Sequence, residues 1–122
     1  MSYYKGNLRV DAESAHAGWV VGEFMEDKFR NTKDVEIKYW EFPVGKTDHA
    51  AKTSTAIEIT IVLEGEIRGV VAGESTVIGA GEYIVMQPNT PNNIVHTIAA
   101  SARGITIKAP SNVNNKTLLE TE

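Results

Sequence analysis

The segment AIEITIVLEG, residues 56–65, sets Ile57, Ile59, Ile61 and Leu63 against Glu58, Thr60, Val62 and Glu64. A two-residue period is the pattern of a strand with two different faces, and a helix of 3.6 residues per turn would scramble it. Gly65 ends the run. The rest of the chain is built the same way. VEIKYWEF (35–42) is rich in β-branched and aromatic residues and stops at Pro43. EIRGVVAG and STVIGAG meet at the turn Ala72-Gly73-Glu74-Ser75, and EYIVMQP, NIVHTIAA and ARGITIKAP follow, the last closed by Pro110. GWVVGEFM (18–25) reads as a further strand, DAESAHA (11–17) as one helical turn, and SNVNNKTLLETE (111–122) as a loose polar tail. Short strands, glycine-bearing turns and no long helical period predict an all-β sandwich or barrel.

The 122 residues suit a single domain spanning 1–122, with a barrel core at about 35–110, an N-terminal segment 1–34 and a polar tail 111–122. A hydrophobic content of 42% is enough for a real core. The net charge of −4 argues against nucleic acid as a partner. The sequence has no apolar run of the roughly 18 residues a membrane helix needs, and MSYYKGNLRV lacks the apolar core of a signal peptide. No membrane partner and a cytoplasmic setting are therefore expected. The absence of cysteine excludes disulfides, thiolate nucleophiles and zinc–thiolate sites. No phosphate loop, nucleophile elbow or zinc-protease helix is present.

Spacing from Gly45 carries a family resemblance. Gly45, Glu58 and Gly65 occupy three of the five fixed positions of the first cupin motif, G(X)5HXH(X)3–4E(X)6G, while its two histidine positions hold Ala51 and Thr53. GEYIVMQPNTPNNIVHT resembles the second motif, G(X)5PXG(X)2H(X)3N, with one residue too many between Gly81 and Pro88 and with Thr90 in place of the motif glycine. Counting from Pro88 puts Asn93 at the histidine position, and counting from Gly81 puts Asn92 there. The local geometry after the proline favours Asn93. The resemblance spans roughly 35–110. It implies a cupin-type double-stranded β-helix, a jelly-roll barrel with a pocket in one end, and it makes a homodimer exchanging GWVVGEFM an expectation.

The family's metal is held by imidazoles and a carboxylate. Here Ala51, Thr53 and asparagine stand at three ligand positions, so no metal and no cofactor is expected; His49 and His96, which lie off the motif, are the alternative ligands beside Glu58. Glu58, Thr60 and Val62 share a face that the spacing to Gly65 points inward. A carboxylate buried there needs a partner, for which Asn93, Thr53, Tyr39, Lys38 and Lys108 are candidates. In KYWEF, Lys38 and Trp40 share one face and Tyr39 and Glu41 the other, so Tyr39 or Trp40 is expected to offer a stacking surface. The expected ligand-binding set is Tyr39 or Trp40, Thr53, Glu58, Thr60 and Asn93. The leading reading is a metal-free barrel that binds a small organic molecule. Two alternatives stand beside it. One is an enzyme, using Glu58 as proton acceptor without metal, or an unusual metal site of His49, Glu58 and His96. The other is a structural or protein-interaction barrel filled by its own side chains.

Overall fold

The structure is a computed structural model, and it describes residues 2–13, 16–44, 51–94, 101–112 and 114–119. The helix α1 covers Leu8–Ala12 and is capped by Asn7, whose side chain accepts from the Val10 N–H. Among the described residues nine strands follow: β1 Trp19–Val21, β2 Glu36–Phe42, β3 Lys52–Ser54, β4 Ile57–Glu64, β5 Glu66–Val71, β6 Glu74–Gly79, β7 Tyr83–Met86, β8 Ala102–Ala109 and β9 Lys116–Leu118. The helical turn falls earlier than the sequence pattern suggests, because Asn7 supplies the cap.

Two layers form. One is a five-stranded antiparallel sheet in the order β1-β2-β8-β4-β7. The other combines the pairs β3-β9 and β5-β6, joined by Asn92, which bridges to both Lys52 and Val71. The double-stranded β-helix expected from the motifs is the observed fold. The C-terminal tail is not loose as expected: Lys116–Leu118 pairs with β3, and Ser111 and Asn115 are buried. Its polar sequence hid this because the burial is paid by hydrogen bonds rather than apolar area. β1 pairs with β2 of the same chain, Trp19 opposite Lys38. β1 stands at the edge of the five-stranded sheet, paired on one side only.

The core lies between the layers. Trp40, Val62, Ile67, Ile78, Ile94 and Ala102 pack into one cluster, with Phe42, Val71 and Ile84 against it. Two glycines shape it. Gly65 has φ +79°, and a Cβ there would strike the Ser101 carbonyl and Ala102, so the motif glycine both turns the chain and admits β8. Gly104 leaves room for the Trp40 ring, which crosses β8 at that point. The β5–β6 connection is the two-residue turn Ala72-Gly73, both with positive φ, the geometry that suits the twist of a tight hairpin.

Candidate functional site

Alternation along three central strands aims a set of side chains into the barrel. β2 contributes Lys38, Trp40 and Phe42; β4 contributes Glu58 and Thr60; β8 contributes Thr106 and Lys108. Register brings them level, with Glu58 opposite Lys108, Thr60 opposite Thr106, and Lys38 opposite Thr106 from the other side. Trp19, Lys52, Ile94 and Lys116 complete a cavity of about 300 Å³. That is the small end of the range for organic-ligand pockets.

Its polar groups are ordered by one another. The Trp40 indole N–H donates to the Thr106 hydroxyl at 3.1 Å, and the Thr106 and Thr60 hydroxyls lie 3.3 Å apart. Glu58 and Lys108 form an ion pair at 3.8 Å, and each side chain is only 7% exposed. The Lys108 ammonium also donates to Asn115 Oδ1 at 3.4 Å, and Asn115 Nδ2 donates to Glu36 Oε1 at 2.9 Å. The backbone N–H of Asn112 donates to the same Glu36 oxygen. Burial of Glu58 is thus compensated from β8, and Lys108 is tied to the C-terminal segment. Trp40 and Phe42 stack at 4.8 Å with planes 11° apart, giving the cavity a flat apolar wall. The Lys38 and Lys108 ammonium groups lie 5.7 and 5.8 Å from the Trp19 ring centre, in cation–π range.

The expected site residues divide. Trp40, Glu58 and Thr60 come together in the cavity. Thr53 does not: in β3 it is Lys52 that lines the cavity, and alternation turns Thr53 away, opposite Thr117 of β9. Asn93 does not either. Its Oδ1 accepts from the Val70 N–H at 2.8 Å, and its own N–H donates to the Val70 carbonyl, so it fastens β5. Asn92 and Ile94 are the buried residues of that segment, which makes the count from Gly81 the structurally correct one. Asn92 serves the backbone, donating to the Thr90 carbonyl and accepting from the Ile94 N–H. His49, His96 and Gly45 lie outside the described residues. Lys52, Thr106 and Lys116 were not in the expected set; Lys108, expected only as a candidate partner of Glu58, is that partner. The face-sharing of Lys108 and Thr106 on one strand was the available signal; Lys116 had none, because its strand was not foreseen.

Tyr39 faces the outside of the sheet, as its parity demands. It lines a broad open cleft beneath α1 together with Arg9 and Arg103, about 1120 Å³ in extent. Arg9 pairs with Glu41 and Arg103 with Glu64, both at 2.7 Å. The hydrogen bond from Arg103 holds the Glu64 carboxyl below its ordinary value, and the hydrogen bond to Glu41 raises Arg9. This cleft is larger than the barrel cavity, but it is a shallow depression whose arginines are already paired. The more enclosed, aromatic barrel cavity is the better candidate site.

A transition metal does not fit the described donors. Ala51 offers no ligand, and Glu58 already faces the Lys108 ammonium, which would repel a cation. Among the described residues, no three histidine, aspartate or glutamate side chains gather in reach of one ion.

Residues 38–107, more than half of the chain, match the family model described as a cupin domain. The chain is a cupin. Solved structures agree on the fold. A conserved protein with a double-stranded β-helix domain from Klebsiella pneumoniae superposes with TM-score 0.61 at 19% identity, covering 74% of this cupin and 78% of that chain. An RmlC-like cupin from Methanocaldococcus jannaschii gives TM-score 0.59 at 20% identity, covering 66% and 74%. A salicylate 1,2-dioxygenase from Pseudoaminobacter salicylatoxidans gives TM-score 0.61 at 14% identity; this cupin covers only 25% of that chain and 74% of its own. A search among curated proteins returned no match. Among the described residues, no helix of this cupin is long and apolar enough to cross a membrane.

Proposed function

We propose that this cupin binds a small organic anion with a planar group in its barrel cavity, without a metal. One observation carries the reading. Among the described lining residues, Lys38, Lys52, Lys108 and Lys116 stand against the single carboxylate of Glu58. These are four of the 12 lysines and arginines of a chain whose net charge is −4, so positive charge is concentrated against the overall balance. A partly enclosed, low-dielectric wall strengthens attraction for an anion: one charge pair about 4 Å apart is worth roughly 4 kcal/mol at an effective dielectric constant of 20. The Trp40–Phe42 stack supplies a flat face for a ring or a conjugated carboxylate, and the Thr60 and Thr106 hydroxyls supply orienting polar groups.

Fluorescence titration tests this, since Trp40 and Trp19 both line the cavity. Benzoate and its neutral isostere benzamide are the probes. Benzoate is expected to bind at least about tenfold more tightly, a difference of roughly 1.4 kcal/mol, and Lys38→Met with Lys116→Met is expected to abolish the preference. Equal binding of the two probes, or no response to either, would overturn the assignment to an organic anion.

A further inference from the structure

Among the described lysines that line the barrel cavity, Lys108 differs from the rest. It is buried, whereas Lys38 and Lys52 are half-buried and Lys116 is exposed. It sits on β8, the central strand of the five-stranded sheet, with Glu58 opposite it on β4 and Glu36 opposite it on β2. Both carboxylates are buried as well. A lysine kept there only to neutralise charge is expected to grip its carboxylate through a short charge-assisted hydrogen bond, about 2.7–2.9 Å long. The contacts found are longer, 3.8 Å to Glu58 Oε1 and 3.4 Å to Asn115 Oδ1. Glu36 Oε1 accepts from Asn115 Nδ2 and from the Asn112 N–H, and so steadies Asn115. The Lys108 nitrogen is thus loosely held at the wall of a ligand-sized cavity, with a carboxylate beside it.

We propose that Lys108 is a nucleophile that forms a reversible imine with an organic anion carrying an aldehyde or a ketone. The inference rests on the anion-binding reading of the cavity. A lysine attacks a carbonyl carbon only when its amine is uncharged, and an adjacent base that takes the proton activates it. Glu58 is that base: a small rotation of either side chain brings the pair from 3.8 Å into hydrogen-bond contact. The nitrogen lone pair then adds to the carbonyl carbon, the π electrons of the C=O bond move to oxygen, and a proton passes from nitrogen to that oxygen to give a carbinolamine. Protonated Glu58 returns its proton to the hydroxyl, which leaves as water while the nitrogen lone pair forms the C=N bond. The product is a protonated imine beside an ionised Glu58, so the charges of the starting pair are restored and no oxidant, reductant or cofactor is consumed. Lysine suits this role where arginine does not, because its amine gives up a proton and guanidinium does not. The remaining lysines of the cavity hold the anionic end of the ligand, and the Trp40–Phe42 wall holds its planar part.

Reductive trapping tests the assignment. The probes are 4-formylbenzoate, which joins anion, ring and aldehyde, and benzaldehyde, which lacks the carboxylate. Sodium cyanoborohydride at neutral pH converts an imine into a stable secondary amine. Mass spectrometry of the unaltered chain, intact and after digestion, is expected to show one adduct per chain, on Lys108 and suppressed by excess benzoate. It should form at least about tenfold faster from 4-formylbenzoate than from benzaldehyde, because the bound anion presents its aldehyde to the amine. Lys108→Arg keeps the charge and should remove the adduct; if that variant does not fold, peptide mapping of the unaltered chain decides alone. An adduct on Lys38, Lys52 or Lys116, labelling scattered over surface lysines, equal rates with the two aldehydes, or no adduct at all overturns the proposal. Benzoate preferred over benzamide without a Lys108 adduct ends the imine and leaves the anion site standing, whereas neither benzoate binding nor an adduct ends both.

Discussion

Replacing Lys108 by methionine removes the charge from the most buried ion pair described and leaves the shape nearly intact. Glu58 then keeps a carboxylate whose side chain is 7% exposed and whose cation has gone. Breaking a buried pair on one side costs about 3–5 kcal/mol. The cavity admits solvent, which moves the estimate toward the lower figure, and the donor lost by Asn115 Oδ1 adds about 1 kcal/mol that the apolar stem of methionine partly offsets. The expected loss is about 3 kcal/mol. At a urea slope of roughly 2 kcal/mol per molar, the unfolding midpoint should fall by about 1.5 M, read from tryptophan fluorescence with the slope unchanged. Adding Glu58→Gln to Lys108→Met removes the orphaned charge, and the double variant should return to within about 1 kcal/mol of the unaltered chain. If Lys108→Met costs less than about 0.5 kcal/mol, or if the double variant is no more stable than Lys108→Met alone, the pair does not hold this end of the barrel together.

Gly65→Ala and Gly73→Ala compare two positive-φ glycines, at +79° and +83°, of which only the first has neighbours that a Cβ would strike. Gly73→Ala should cost about 1 kcal/mol for the backbone alone, and Gly65→Ala at least twice that, as shown by thermal unfolding; equal losses would mean that β8 yields to the added methyl. The hydrogen bonds from His16 and Arg103 hold the Glu26 and Glu64 carboxyls below 4.5 in the folded chain. Each therefore adds stability that is present above pH 4.5 or so and is lost as pH falls through the lower folded value. Both are exposed, so the acid-side decline in melting temperature should be shallow, weaken in salt and flatten further in Glu64→Gln.

The fold was legible because strand periodicity is local. Ile57 to Glu64 announces both its conformation and its two faces, and Gly65 marks where it must end. Parity with the spacing to Gly65 places Glu58 and Thr60 in the interior, but it leaves Tyr39 and Trp40 as alternatives, which the strand packing decides for Trp40. Parity could not place Asn93, since one extra residue after Gly81 reverses every later face and only the pairing of Asn92 with Lys52 and Val71 fixes the phase; it could not place Thr53 because β3 turns Lys52 rather than Thr53 inward. The lysine content of the cavity was hidden for a different reason. Lys38, Lys52, Lys108 and Lys116 come from four separate strands; Lys38 and Lys108 read only as candidate partners for Glu58, and Lys52 and Lys116 in isolation read as solvated lysines. β9 has no sequence signal at all; LysThrLeu becomes a strand because β3 offers it an edge.

The position of β8 has a consequence for how the molecule comes into being. It is the central strand of the five-stranded sheet, yet it is made after every strand except β9. Trp40 reaches Thr106 across 66 residues, Thr60 reaches it across 46, and Glu36 meets Asn115 across 79. The local β5–β6 hairpin can close early, but β2 and β4 have no common neighbour until residues 102–109 have left the ribosome. Closing such long loops before their contacts reward it is slow, in the millisecond-to-second regime of non-local β topologies. Through that interval the edge of β4 that β8 will occupy is open to other chains, so the yield of folded protein depends on how fast this last long strand arrives.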